Sequence, residues 1–290
     1  MTILVTGATG SVGRLVVKGL AEKGERVRAL TRTPDRARTI LPAEVEVVAG
    51  DLDEPATLPG ALDGVDRLYL FPVAATAREV VALARKAGVR RVVVLSSGAV
   101  TGGYDTTFHL PVEQAVEASG LEWTHVRPGE FMLNKLWLWG PSIRAERVVR
   151  DPLPNAIMCP VHEQDIADVA VTALLDDGHQ GAAYDLNGAE FLSHRDQVRI
   201  ISEAIGEEIR FERVTPERAR EIYRRQGGFA AANADFLLGF NDYDGNEAAP
   251  EDRAEIDLSA YGPKPTSEAV LGRPARTFAD WAGRHAADFR

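Results

Sequence analysis

Three glycines near the start of the chain carry the clearest chemistry. Gly7, Gly10 and Gly13 lie in TGATGSVG, directly after the apolar run ILVT and directly before VGRLVVKGL, whose apolar residues recur at helical spacing. The N-terminus of a helix holds backbone N–H groups without intrahelical acceptors, and together with the helix dipole they attract anions. A side chain at Gly7 or Gly10 would hold a phosphate away from that backbone, and Gly13 lets helix and strand pack closely. The spacing is GxxGxxG rather than the GxGxxG of the standard fingerprint. A glycine-rich turn with no ligand is the plainer alternative. The reading adopted is a loop that takes the pyrophosphate of a dinucleotide through Gly7, Thr9, Gly10, Ser11, Val12 and Gly13.

Further candidates follow at the ends of the next apolar runs. A site for NAD places a carboxylate at the end of the second strand, about 20 residues beyond the glycines, to take the ribose hydroxyls. Here RALTRTPDRA has no acid at that point; Arg32 stands there between Thr31 and Thr33. A guanidinium with hydroxyl neighbours suits a 2′-phosphate, so the expected cofactor is NADP, with NADPH preferred over NADH. A solvated surface arginine is the ordinary alternative. In GDLDEP, Asp51 and Leu52 are placed to flank an adenine, while Asp53 is expected to cap a helix entered at Glu54 and Pro55. Phe71 and Pro72, with Val73, would cover the cofactor near its nicotinamide ribose.

These residues need a frame that brings strand ends together. ILVT, RVRAL, VEVVA, DRLYLF, RRVVVLS and WTHVR read as short strands, several continuously apolar as strands covered on both faces must be. Helical patterns separate them, closing at Gly24, Gly88 and Gly120. Strand, helix, strand at this spacing predicts an α/β fold with a doubly wound parallel Rossmann sheet. The expected division is a nucleotide-binding core over 1–150 and a smaller C-terminal substrate subdomain over 151–290, with segments around 160–190 returning to the core. HEQDIADVAVTALLDDG, SHRDQVRIISEAIG with Ser193 as N-cap, and RTFADWAGRHAADF read as helices, and AAYDLNG as a late strand. The tract from Phe229 to Pro265 mixes Gly, Asn, Asp and Pro and reads as loop.

Composition narrows the partners. With 43 acidic against 33 basic residues the formal charge is -10, which works against a phosphate backbone, so no nucleic acid is expected. MTILVTGATG lacks the basic start of a signal peptide, and no run of about 18 apolar residues occurs, so no membrane association is expected. Cys159 is the one cysteine, which fits a reducing, cytoplasmic location. CPVHEQD groups Cys, His, Glu and Asp, but its spacing matches no zinc pattern, so no metal is expected. A small-molecule substrate is expected, and a homodimer is left open.

TGATGSVGRLVVKGL, Arg32, GDL, SSGAV, HLPVEQAVEASGLEWTHVRPGEFMLN, DIADVA and the terminal GRPARTFADWAGRHA together resemble an atypical short-chain dehydrogenase/reductase, nearest the NmrA-like NAD(P)H-binding reductases. The resemblance implies a Rossmann core, NADP, a cofactor contact at Ser96, and Pro128 beside the nicotinamide. It also exposes a departure. Working members carry a Tyr-x-x-x-Lys pair; here the tyrosine place falls on Asp105, with Tyr104 one residue off, and the lysine place on His109. Tyr104 and His109 are the remaining candidates for a proton donor, against the readings of an idle loop aromatic and a helix-start histidine making a cap-like contact. So sparse a set suits an acceptor that is easily reduced. The aromatic run after Arg127 supplies Phe131, Met132 and Trp137 as candidate walls of a planar substrate's pocket, against ordinary packing of an amphipathic helix. Two functions follow. The first is an oxidoreductase that passes hydride from NADPH to a small, planar, electron-poor acceptor of quinone, enone or imine type. The alternative is a non-catalytic NADP(H) sensor of the NmrA type.

Overall fold

The computed structural model describes residues 1–248 and 262–290, and the chain divides into two compact units. The first comprises Met1–Pro128, Glu163–Leu186 and Thr266–Arg273. Its strands are β1 (Thr2–Val5), β2 (Arg26–Thr31), β3 (Glu46–Ala49), β4 (Arg67–Leu70), β5 (Arg91–Leu95) and β6 (Glu122–Pro128), joined by a later strand, Ala182–Leu186. The sheet runs β3-β2-β1-β4-β5-β6 and ends on that later strand, with every pairing parallel. This is the doubly wound Rossmann-like sheet expected from the alternation of strands and helices. All four residues of β1 and of β4 are buried, because helices cover both faces of the sheet. The helix Gly13–Glu22 buries Gly13, Val16, Val17 and Leu20, the spacing of one helical face, and Ala77–Lys86 does the same with Ala77, Val80, Val81 and Ala84.

The helix Glu163–Leu175 is buried along most of its length, and its last carbonyls accept from residues of β4 and β5. Arg91, 1% exposed, donates to the carbonyls of Ala173, Leu174 and Asp176 and pairs with Asp177 and Glu122. Arg67 donates to those of Leu174 and Leu175. Two guanidiniums thus satisfy carbonyls that the helix cannot, at the end where positive charge is favoured.

The second unit comprises Gly129–His162, Asn187–Pro265 and Pro274–Arg290. The first change of unit falls at Pro128 rather than at 150: after β6 the chain enters the short helices Asn134–Leu138 and Gly140–Glu146, whose Leu138, Trp139 and Ile143 belong to this unit's core. Among the described residues its strands pair in twos. Val148–Asp151 (β7) runs parallel to Arg210–Arg213, and Ile157–Met158 (β8) antiparallel to Leu192–Ser193. Such short pairs are marginal alone. An aromatic core including Trp139, Tyr223, Phe278, Trp281 and Phe289 supports them. Ser193 caps the helix His194–Ile205 as expected, in a capping box with Asp196.

The tract read as loop from Phe229 needs correction, because Gly228–Leu237 is a helix. Its small residues, GFAAANADF, suit close packing, and Ala230 and Ala234 are buried four residues apart on one face. Residues 249–261 of that tract lie outside the described residues. No helix among the described residues is long and apolar enough to cross a membrane.

Candidate functional site

The C-terminal ends of the parallel strands carry nearly all the candidates of the first unit. Between β1 and β4 the order of strands reverses, the place where doubly wound sheets leave a crevice for ligands. Thr6 ties the two strand ends together: its hydroxyl donates to the Tyr69 carbonyl at 3.0 Å and accepts the Phe71 N–H at 2.7 Å. The chain then turns at Gly7, whose φ of 59° suits glycine, and a Cβ there would meet the Phe71 side chain at 3.1 Å. Gly10 donates its N–H to the Gly7 carbonyl at 2.9 Å. Gly13 is the most constrained of the three, since a Cβ on it would stand 2.1 Å from the Gly7 oxygen. Among the described residues no backbone acceptor takes the N–H groups of Ser11, Val12 or Gly13. Thr9 and Gly10 are exposed beside them and Val12 is buried. This helix start fits a pyrophosphate: bare backbone donors, a favourable dipole and no side chain in the way.

Arg32 follows β2 and is largely exposed, with Nη1 4.0 Å from an Asp51 carboxylate oxygen. Thr31 turns its hydroxyl to the Thr33 N–H at 3.1 Å, which shapes the bend that presents Arg32. Asp51 also accepts the Asp53 N–H at 3.0 Å, while Asp53 makes no cap. The expected cap is thus replaced by a turn closed two residues earlier, ahead of the short 3-10 helix Pro55–Thr57. Leu52 is buried within the first unit's core, Pro72 is buried as well, and Phe71 is 41% exposed.

A polar network centred on the buried Glu113 links the ends of β5 and β6. The Ser96 hydroxyl, at the end of β5, donates to Glu113, whose carboxylate also takes Arg127 Nε at 2.9 Å and Nη2 at 2.5 Å. Arg127 in turn donates to the Thr101 hydroxyl, which donates to Asp185 at 2.6 Å. Burial alone would raise the Glu113 pKa, but the bonds from Arg127 and Ser96 hold it below the usual carboxylate range. Glu113, Glu117 and His125 bring one ligand atom each within 4.8 Å of one another. Arg127 already neutralises Glu113, so a cation there would meet a guanidinium. At CPVHEQD the buried Cys159 thiol donates to the Gly188 carbonyl, and burial pushes its pKa up to about 11. Asp165 lies in the first turn of its helix and pairs with Arg273 at 2.8 Å.

His109 and Asp105 meet. Asp105 is 1% exposed; its carboxylate accepts the backbone N–H groups of Phe108 and His109 at 2.9 and 3.0 Å, and lies 2.5 Å from His109 Nδ1. His109 starts the helix Leu110–Glu117 without capping it by its side chain, so the cap-like contact gives way to a ring–carboxylate pair. Burial opposes ionisation of Asp105, but the backbone donors and the His109 ring hold its pKa below the ordinary value. For His109, burial lowers the pKa against the pull of Asp105 and Glu113. Tyr104 is 52% exposed in the same loop.

The proposed substrate residues lie in the second unit. Met132 is 1% exposed in its core. Phe131 forms a parallel bridge with Val161, and Trp137, 38% exposed, packs its ring 4.9 Å from that of Phe229. Neither the Ser96–Glu113–Arg127 network nor the Asp105–His109 pair was singled out from the sequence. The spacing D-x-x-x-H just ahead of a helix start was the available signal for the Asp105–His109 pair.

A seven-stranded parallel sheet with a glycine turn opening onto bare helix donors defines a dinucleotide-binding protein of the Rossmann kind. Residues 7–177, more than half of the chain, match the family described as NAD(P)H-binding, and the chain belongs to it. It is 40% identical over 294 residues to the (4-alkanoyl-5-oxo-2,5-dihydrofuran-3-yl)methyl phosphate reductase of Streptomyces griseus, covering 99% of both chains. It is 33% identical over 308 residues to an NAD(P)H azoreductase of Xenophilus azovorans, again covering 99% of each. Among solved structures the triphenylmethane reductase of Citrobacter sp., complexed with NADP(H), superimposes with a TM-score of 0.80 at 22% identity, over 99% of this chain and 100% of that one. The relatives bear out the resemblance to the atypical reductases.

Proposed function

We propose that the chain is an NADPH-dependent reductase of a small, planar, electron-poor acceptor, best represented by a C=C bond conjugated to carbonyl groups. The observation that carries this reading is an intact phosphate-binding loop combined with a proton-handling set reduced to His109 and the exposed Tyr104, with no Tyr-x-x-x-Lys pair. Bound NADPH supplies the hydride. Gly7 to Gly13 would hold its pyrophosphate, Arg32 its 2′-phosphate, and Phe71 its nicotinamide half. An ordinary ketone needs a strong acid at its oxygen as hydride arrives. A doubly activated C=C does not, because the negative charge spreads over two carbonyl oxygens and protonation can follow from a weak donor or water. The substrate named for the Streptomyces griseus relative is of this type, and the azo group named for the other is likewise electron-poor.

Asp51 stands close enough to Arg32 to compete with a phosphate for it. Arg32 is largely exposed and Asp51 partly buried, however, and at 4.0 Å a pair screened on the arginine side is worth about 1 kcal/mol, less than a charge-assisted bond to phosphate. Arg32 therefore supports a preference for NADPH over NADH. The test is titration with each cofactor, followed by nicotinamide fluorescence, and then absorbance loss on adding enones, quinones and azo compounds. Tight NADPH binding with turnover of an enone supports the reading. Tight binding with no turnover of any acceptor would return the sensor reading, and binding of neither cofactor would sink both.

A further inference from the structure

We propose that Asp105 is a positioning residue that fixes the His109 ring with its proton on Nδ1 and assigns proton delivery to Nε2. The inference deepens the reductase reading and rests on it for the proton's destination. It begins with the bonds at Asp105. Both carboxylate oxygens accept backbone N–H groups, one from Phe108 and His109, the other from His109 alone, and the second oxygen also faces His109 Nδ1 at 2.5 Å. A buried carboxylate held by N–H donors is an acceptor, so the ring nitrogen opposite it must be the donor. Loop-fixing alone would account for the backbone bonds. It would not account for a ring held by the same group, at the two places where the resembling family keeps its tyrosine and lysine.

Two consequences follow for the proton. In the neutral ring Nδ1 carries the hydrogen and Nε2 is an acceptor; Nε2 becomes a donor only in the imidazolium. The charged groups facing the ring are Asp105 from its own loop and Glu113 one turn along the helix it starts, the latter partly neutralised by Arg127 from β6. Both favour the imidazolium, against burial. In turnover the acceptor's C=C bond gains a hydride at one carbon, its π electrons pass to the conjugated carbonyl, and the resulting enolate takes the Nε2 proton. The ring then regains a proton from water, and NADP⁺ leaves with the two-electron deficit.

The test uses the full chain. Asp105→Asn keeps an oxygen for the backbone N–H groups but turns an NH₂ toward Nδ1, which forces the neutral ring's hydrogen to Nε2 and removes the charge that supports the imidazolium. Expected results are a kcat lower by roughly 10²-fold, unchanged NADPH affinity, and loss of the wild-type decline of kcat with rising pH. The ring ¹⁵N spectrum should change from an Nδ1–H to an Nε2–H tautomer. His109→Gln should cost as much, and the double variant no more, since groups acting as a unit are not additive. A wild-type ring whose neutral form carries its proton on Nε2 overturns the proposal, and so does an Asp105→Asn enzyme with wild-type kcat and pH profile. If the wild type binds NADPH but reduces no acceptor, the reductase reading fails and takes proton delivery with it. The nitrogen spectra still decide whether Asp105 sets the tautomer.

Discussion

Replacing Gly13 by alanine should damage the cofactor site through one contact. The added Cβ would sit 2.1 Å from the Gly7 oxygen and 2.8 Å from the Gly7 carbon, both backbone atoms that no side-chain rotation can move aside. An ordinary Cβ contact begins at 3.4 Å, so the helix start must withdraw by about 1.3 Å. Overpacking on this scale costs about 1–3 kcal/mol of stability. The same displacement carries the Ser11, Val12 and Gly13 N–H groups away from the phosphate. Loss of one charge-assisted bond, about 1.5–3 kcal/mol, weakens NADPH roughly 10- to 100-fold. Fluorescence titration measures the affinity, and thermal melts with and without NADPH separate stability from binding. Gly60→Ala is the control, because a Cβ there meets nothing within 4 Å. Gly13→Ala protein with wild-type affinity and melting would refute the argument, since the close approach would then hold nothing in place.

Arg32→Gln should weaken NADPH about 10-fold or more while leaving NADH unchanged, and equal losses for both cofactors would end the 2′-phosphate assignment. Glu113→Gln strips Arg127 of its buried partner and should cost about 3 kcal/mol in denaturant melts. The folded-state pKa of Glu113 lies below its unfolded value, so its contribution is present above the unfolded carboxylate range and is lost as pH falls through the folded pKa. Wild type and variant should therefore converge in acid, and a constant gap across pH would contradict this. Trp281→Ala, at 0% exposure in the second unit's core, should cost about 3–5 kcal/mol by calorimetry.

The glycine loop and the strand alternation were legible because both are local: a turn needs its residue within a few positions, and a covered strand must be apolar along its run. Arg32 was picked out as a candidate in the same way, from its place at a strand end. The Ser96–Glu113–Arg127 network joins residues 17 and 14 positions apart, on a strand end, a helix and a second strand. No period marks such a set, because only the folded sheet brings its members together. Asp105 was visible as a missing tyrosine, but its role depends on a loop turning the carboxylate back on the next helix. The helix Gly228–Leu237 was missed because its glycine and alanines pack by closeness rather than by a greasy stripe.

The first unit is not continuous in the chain, and this bears on how it can be made. While only the first 162 residues have emerged from a ribosome, β6 borders the sheet with its outer backbone groups unpaired. They find partners when Ala182–Leu186 arrives, and Arg273, which pairs with Asp165 and Asp168, comes later still. A parallel strand waiting at an open edge is a template for any passing neighbour. Slow synthesis across 163–186 would lengthen that exposure, and a fragment ending before it should aggregate although it holds the whole glycine loop. Domain borrowing or fusion must therefore take the late segments together with the first 128 residues.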